Sequence, residues 1–537
     1  MENVQEYDRY KSSVIYRIYP KSFFDSDGDG IGDIKGITSK LPYFNALGVD
    51  VIALSSIFET DSDDILFGIT DHRRINPALG TLQDMEELVE EAHKVGLLVY
   101  LSFPLSFTSS AHNWFESART ASPLNPYREY YVWKVGKGKS APNGEHSQYK
   151  TPLWSYDEKS HEWYRCVYGP DYPELNFENP RVRKEILNVF SFWRGKGIDG
   201  FIVENAFFAT KKLLLSDRTR LYKADEEFFS EGRGVYRMLR EIRERSEDPF
   251  PIVIDAENVS PGLYPYLLAK EKPVADSVFV GECINANRIV EKKSFSIKDF
   301  VKSFLFSESS ECAPLTTLAF NGKDYTRLLS KIVEGADEKP LAAAKMLAAL
   351  LLSGASTPAI YQGEEIGMTD FTSKSNDLGA FSVDPELLHA RSPFQWDNNP
   401  NAAFTDSVFA AYPINDNYHK INLLSESTDE NSVFTFYRRM IAYRKSSSAL
   451  TFGSFCDFSQ RNIIMFVRES ETERILLIAN TTGKPLNTKL PKPLIGESAL
   501  CELCNYSIVS KTLNDTLGLR PYEVRIFRLR APILALN

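Results

Sequence analysis

Eight short apolar runs, separated by helix-like patterns, constrain the fold of this chain more than any other feature. The runs are rich in Val, Ile, Leu and Phe, and Gly, Pro, Asp or Ser bounds most of them. Strands that alternate with helices form parallel sheets, and eight such strands are enough to close a barrel. We predict strands at residues 14–19, 51–54, 97–102, 200–204, 252–255, 277–280, 316–320 and 359–363. The sequence therefore predicts an α/β fold, a (β/α)8 TIM barrel.

The spacing of the strands breaks once, and this break divides the chain into domains. Residues 104–172 are rich in Ser, Tyr, Trp, Asn and Gly and predict a loop-rich insertion after strand three. Beyond residue 450 the pattern changes to short alternating strands, such as 463–467 and 475–479. We expect residues 1–103 and 173–450 to form the barrel and residues 104–172 to form the inserted domain. Residues 451–537 are expected to form a C-terminal antiparallel β-sandwich.

Charge and hydropathy narrow the classes of partner. The net charge is -10 and the pI is near 5.5, which does not suit a nucleic-acid surface. The longest apolar stretch, residues 341–360, contains Lys345 and predicts a core helix that runs into a strand, so we expect no membrane segment. The start of the chain lacks the apolar block of a signal peptide. As written the protein is expected to be cytoplasmic, or extracellular if an upstream signal or anchor has been removed.

Several long motifs resemble one family. They are Tyr16-Arg17-Ile18-Tyr19-Pro20, the string DSDGDGIGD at 25–33, Pro173-Glu174-Leu175-Asn176, YQGEEIGM at 361–368 and RSPFQWD at 391–397. In this order and spacing they resemble the alpha-amylase superfamily, in its oligo-1,6-glucosidase and maltase branch. The resemblance runs over nearly the whole chain and implies a barrel, an inserted domain and a C-terminal sandwich.

The loop at 25–33 suits a calcium ion. Asp25, Asp27, Asp29 and Asp33 alternate with Gly and Ser, and the carbonyl of Ile31 can add a further oxygen ligand. Members of the family bind calcium at this loop, so we expect a structural Ca²⁺. The alternative is a tight Asp/Gly turn that holds no metal.

A retaining glycosidase needs two carboxylates about 5 Å apart, one as nucleophile and one as acid and base. The family's nucleophile aspartate aligns with Glu204, and the arginine two residues earlier aligns with Ile202. The family's acid/base glutamate aligns with Glu257. One of the two carboxylates therefore keeps its residue type, while the other has an arm that is one methylene longer.

Other positions of the pattern depart as well. Ser102 and then Ser106-Phe107 stand where the family has Asp and then Asn-His. Asn321-Gly322-Lys323 stands for Asn-His-Asp, and Asp324 can substitute for the last aspartate only if the loop is shifted by one residue. The Tyr and Asp that hold the non-reducing sugar align with Phe67 and Gly68.

Because losses within a catalytic unit are strongly non-additive, we expect no working catalytic residues at the degenerate positions Glu204, Glu257 and Asp324. The sequence thus predicts a pseudo-alpha-glucosidase that acts as a binding or scaffold module. A protein partner is the expectation, as in the similar heavy-chain ectodomains of amino-acid transporters. The alternatives are an alpha-glucosidase with a rebuilt site, and a cleft that binds a small sugar without cleaving it.

Overall fold

The computed structural model describes residues 9–530 except 63–67, 121, 123, 137–139, 145, 147–151, 207–232, 246–249, 256–263, 269–272, 281–295, 325, 334–339, 372–384, 508–512 and 514. Eight parallel strands form a closed barrel in which each strand lies beside the preceding and the following one in the chain. In chain order they are Ile15–Ile18, Val51–Leu54, Leu98–Pro104, Gly200–Glu204, Ile252–Asp255, Ser277–Phe279, Thr316–Leu318 and Thr357–Tyr361. The predicted TIM barrel is confirmed.

The barrel strands are buried because both of their faces are covered. Val51–Leu54 and Gly200–Glu204 are buried at every residue, as expected for apolar parallel strands. Strands three and four are in register from Tyr100↔Gly200 to Pro104↔Glu204. A Cβ atom at Gly200 would lie 2.8 Å from the Tyr100 ring, so this position requires glycine. Packing in the barrel therefore fixes the register that brings Glu204 to the end of strand four.

Helices follow the capping signals of the sequence. Leu82–Lys94 begins after Thr81, whose side chain accepts a hydrogen bond from the Asp84 amide in a capping box. Pro180–Gly195 begins after Asn179, whose side chain accepts a hydrogen bond from the Arg181 amide. Other α-helices among the described residues include Ile34–Ser39, Leu41–Leu47, Asn113–Ala118, Arg233–Arg245, Tyr264–Leu267, Ile297–Glu308, Leu328–Val333, Pro340–Ser353, Pro385–Ala390, Leu423–Thr428, Val433–Ser446 and Ser448–Phe452. Among the helices that the structure describes, none has the length and apolar content needed to cross a membrane.

Two small antiparallel sheets interrupt the barrel pattern. A hairpin of Phe58–Thr60 and Ile69–Ile75 follows strand two, and it was not predicted from the sequence. The expected insertion after strand three contains the strands Trp133–Lys134, Trp154–Asp157 and Glu162–Arg165. Leu153, Trp154 and Val167 form its own small hydrophobic cluster.

The C-terminal region is antiparallel, as predicted. Five strands form one sheet: Ser454–Asp457, Ile463–Glu469, Arg474–Asn480, Val524–Leu529 and Ala499–Cys504. A second sheet pairs Leu486–Lys489 with Thr516–Leu519, and the core includes Met465, Leu476 and Phe527.

By compactness the chain divides into two units. One comprises Met1–Gly32, Ser39–Ile52 and Val280–Asn537, and the other comprises Asp33–Thr38 and Ala53–Phe279. The three-domain division of the chain stays a prediction.

Candidate active site

Strand four ends at Glu204, which is the best-placed candidate for a nucleophile. Glu204 is only 4% exposed, and its carbonyl accepts a hydrogen bond of 3.1 Å from the Leu105 amide after strand three. Ile202, two residues earlier, is 1% exposed and lies opposite Ser102 on strand three. The backbone around Glu204 is therefore fixed by the barrel itself.

The residue after Glu204 has an unusual backbone. Asn205 has a φ of 58°, in the left-handed region that Asn tolerates better than most residues. The Ser106 hydroxyl donates a hydrogen bond to the Asn205 carbonyl, and the Tyr168 hydroxyl donates one of 2.6 Å to Asn205 Oδ1. Phe107 packs on Tyr168, with ring centroids 4.9 Å apart. Ser106 and Phe107, which stand where the family pattern has Asn-His, thus help to hold the end of strand four.

Three further predicted site positions follow strands two and five in the chain. Glu257 and Phe67 fall outside the described residues. Gly68 has a φ of 70°, and a Cβ atom there would lie 2.4 Å from Asp61 Oδ1. This positive φ lies in the left-handed region that favours glycine, which explains a glycine directly before the strand Ile69–Ile75.

The loop after strand seven, in the other unit, holds the third candidate carboxylate. Asp324 Oδ2 accepts a hydrogen bond of 2.9 Å from Lys323 Nζ, and Asp324 Oδ1 accepts one of 2.9 Å from Arg391. The Arg391 side chain also donates to the Lys323 carbonyl. Burial alone would raise the pKa of Asp324, but Lys323 and Arg391 outweigh it and hold the pKa below its ordinary value. Asp324 is therefore ionised at neutral pH.

Asn321 fixes both ends of this loop. Its Oδ1 accepts a hydrogen bond of 2.6 Å from the Leu328 amide, where the next helix begins. Its side chain also hydrogen bonds Glu364, whose carboxylate accepts a further bond from the Tyr361 amide. Burial raises the pKa of Glu364 to about 7. The loop that carries Asp324 is therefore hydrogen bonded, through Asn321, to the Glu364 carboxyl group, which titrates near neutral pH.

Sequence reasoning missed the supporting residues. The sequence identifies Arg391 only as the first residue of the family motif RSPFQWD. The structure shows that it is fully buried, and a buried arginine requires an acidic or carbonyl partner. Asn205 and Tyr168 carried no signal, because their contact joins residues 37 apart in the chain.

The acidic loop brings three of its predicted metal ligands together. Carboxylate oxygens of Asp25, Asp27 and Asp29 all lie within 4.8 Å of one another. Burial would raise the pKa of Asp25, but hydrogen bonds from Thr405 and three backbone amides lower it. Ile31 is joined to this loop through its amide, which donates to Asp29 Oδ1 over 2.7 Å. Asp33 belongs to the other compact unit, and its Oδ1 accepts a bond from the Gly36 amide.

Comparison with known proteins places this barrel in a family. The alpha-amylase catalytic domain matches residues 17–453, so the chain belongs to the alpha-amylase family. An oligo-1,6-glucosidase of Parageobacillus thermoglucosidasius is 31% identical, over 97% of this chain and 99% of its own. An oligo-1,6-glucosidase of Bacillus cereus is 30% identical over 97% and 99%.

Solved structures agree with this assignment. A trehalulose synthase variant is 28% identical with a TM-score of 0.85, covering 97% of this chain and 99% of its own. The isomaltulose synthase of Protaminobacter rubrum is 27% identical with a TM-score of 0.83, at the same coverage.

The expectation of a catalytically inactive scaffold is wrong. Named oligo-1,6-glucosidases, a trehalulose synthase and an isomaltulose synthase match this chain over nearly its whole length, which favours an active glycosidase with a rebuilt site. The expectation failed because it compared single positions with the family pattern. Such a comparison does not detect contacts between residues far apart in the chain, such as Arg391 with Asp324 and Tyr168 with Asn205. A protein partner stays a prediction.

Proposed function

We propose that the protein hydrolyses alpha-glucosides, with Glu204 and Glu257 as its two working carboxylates. The observation that carries the proposal is Glu204 itself, a buried carboxylate at the end of strand four in a chain related to oligo-1,6-glucosidases throughout its length. Maltose-type glucosides and 1,6-linked isomaltose are the substrates to test, the second because of the relatives' names.

The chemistry follows a double displacement. The Glu204 carboxylate attacks the anomeric carbon while the glycosidic bond breaks, and Glu257 gives its proton to the departing oxygen. Glu257 then takes a proton from water, whose oxygen attacks the same carbon and releases Glu204.

Glucose release from 4-nitrophenyl alpha-glucoside, maltose and isomaltose tests the proposal. We expect turnover by the wild type and a loss of at least roughly a thousandfold in Glu204→Gln and in Glu257→Gln. Glu90→Gln is the matched control, because Glu90 makes only an exposed ion pair with Lys94 and its loss should leave turnover unchanged. The proposal fails if the wild type releases no glucose above a blank at micromolar enzyme.

We also propose that this acidic loop binds Ca²⁺, with Asp25, Asp27 and Asp29 as ligands and the carbonyl of Ile31 as a further one. The three converging carboxylates support it, since oxygen ligands suit calcium. A chelator should lower the melting temperature of the wild type, and excess Ca²⁺ should restore it. Asp27→Asn should weaken this response; an identical melting temperature with and without chelator would contradict the proposal.

A further inference from the structure

The backbone turns sharply directly after Glu204. Asn205 adopts a φ of 58°, which only Gly, Asn and Asp visit readily. Within the described residues five other non-glycine residues share a positive φ, namely His161, Asn401, Ala402, Ala403 and Tyr522. Asn205 alone among them adjoins a candidate catalytic residue. Strained backbone of this kind persists where surrounding contacts hold it in place.

Two side chains supply those contacts. The Ser106 hydroxyl donates to the Asn205 carbonyl, and the Tyr168 hydroxyl donates to Asn205 Oδ1 over 2.6 Å. Ser106 is itself anchored, because its carbonyl accepts a hydrogen bond of 2.9 Å from the Leu175 amide. The peptide that leaves Glu204 is thus held through both the main chain and the side chain of Asn205.

Both contacts come from the expected insertion at 104–172, and so does the packing that keeps Tyr168 in place. Tyr168 lies against Phe107, with ring centroids 4.9 Å apart, and Phe107 also packs edge-on against Tyr172 at 5.8 Å. Phe107 is buried, so the Tyr168 ring rests on a fixed neighbour. A side chain that must carry a carboxylate to a reacting atom needs a fixed backbone, since an error of about 1 Å can cost on the order of a hundredfold in rate.

We propose that Asn205 is a positioning residue that sets the reach of the Glu204 carboxylate. Ser106 and Tyr168 act through it by holding its left-handed turn. This inference rests on the proposed glucosidase function and adds to it. It also gives a role to Ser106 and Phe107, which stand where the family pattern has Asn-His.

The test is a graded series of variants assayed with 4-nitrophenyl alpha-glucoside. Tyr168→Phe removes one hydroxyl and should lower kcat roughly threefold to tenfold. Asn205→Gly keeps the positive φ but loses the same hydrogen bond, so it should resemble Tyr168→Phe. Asn205→Ala loses the bond and the preference for this backbone, and its kcat should fall by about a hundredfold. KM should stay within about twofold throughout, because the change is in transition-state geometry and not in binding.

Tyr164→Phe is the matched control. The Tyr164 hydroxyl donates a hydrogen bond of 2.7 Å to the Pro170 carbonyl in the same inserted region, so this variant loses an equivalent hydrogen bond away from Glu204. Its kcat and KM should match those of the wild type. A series in which Tyr164→Phe and Tyr168→Phe lose equal activity, or in which Asn205→Ala keeps the wild-type kcat, overturns the positioning role while the glucosidase function stands.

Failure of the glucosidase function itself would show in the wild type and can be separated. If the wild type has no turnover, crystal structures of the wild type and Asn205→Ala decide the question directly. A shifted Glu204 carboxylate supports the positioning role without activity, and an unchanged one overturns it.

Discussion

The end of strand four and the loop after strand seven hold their carboxylates in different ways. Beside Glu204, the fixed residue is Asn205, and the groups that hold it are neutral hydroxyls of Ser106 and Tyr168. In the loop, the carboxylate of Asp324 is held directly by Lys323 and Arg391. At the end of strand four the contacts hold the backbone of Asn205, whereas in the loop after strand seven they hold the charged side chain of Asp324. The two should therefore respond differently to mutation, pH and salt.

The largest effect on stability is expected from Asp324→Ala. This change leaves Arg391, which is fully buried, and Lys323, which is 4% exposed, without the carboxylate that they share. Loss of one partner from a buried pair costs about 3–5 kcal/mol, and we expect the lower end because the Asp324 side chain is 32% exposed. Urea denaturation measures it. Lys323→Met added to Asp324→Ala should restore part of the loss; no recovery would mean that Lys323 does not depend on this carboxylate.

The next effect is on rate, and it comes from Glu204→Asp. Although this change restores the residue type of the family pattern, the carboxylate recedes by more than an ångström in a backbone fixed for the longer arm. We expect kcat to fall by roughly a hundredfold. Glu174→Asp, also buried and ion-paired with Arg165, is the control for shortening a glutamate in the same unit. A gain of activity in Glu204→Asp would show that the end of strand four is not adapted to Glu204.

A third prediction concerns the pH dependence of stability in the strand-seven region. Burial raises the pKa of Glu364 from 4.5 to about 7, so the folded protein binds this proton more tightly than the unfolded chain. Wild-type stability should therefore fall as pH rises from about 4.5 to about 7, by about 3 kcal/mol. Glu364→Gln keeps the hydrogen-bond acceptor and cannot ionise. The stability gained by Glu364→Gln should thus appear above pH 5 and level off above pH 7, and a pH-independent difference would contradict this assignment.

The sequence predicted the barrel far better than the site. Strands at 51–54, 200–204 and 252–255 have the predicted bounds, because compact apolar runs between polar or glycine boundaries leave little choice of ends. The hairpin strand Ile69–Ile75 was missed, since its residues are mostly polar. The site depends on pairs such as Arg391 with Asp324, 67 residues apart, for which no local pattern gives a signal. Residue types at single positions therefore show where the chain differs from the family pattern, but they do not show the contacts made by the residues that differ.

The smallest effect should be the most informative about the strand-four region. Tyr168→Phe removes one neutral hydrogen bond and keeps the ring packed on Phe107, so it should cost about 1 kcal/mol of stability. Because neither Tyr168 nor Asn205 is charged at neutral pH, the loss should be the same from pH 5 to pH 8 and at low and high salt. Urea denaturation under these conditions measures it, with Tyr164→Phe as the control of equal chemistry. A loss that depends on salt or pH would show that charge also contributes to holding the backbone beside Glu204, and the contrast between the two regions would then be one of degree.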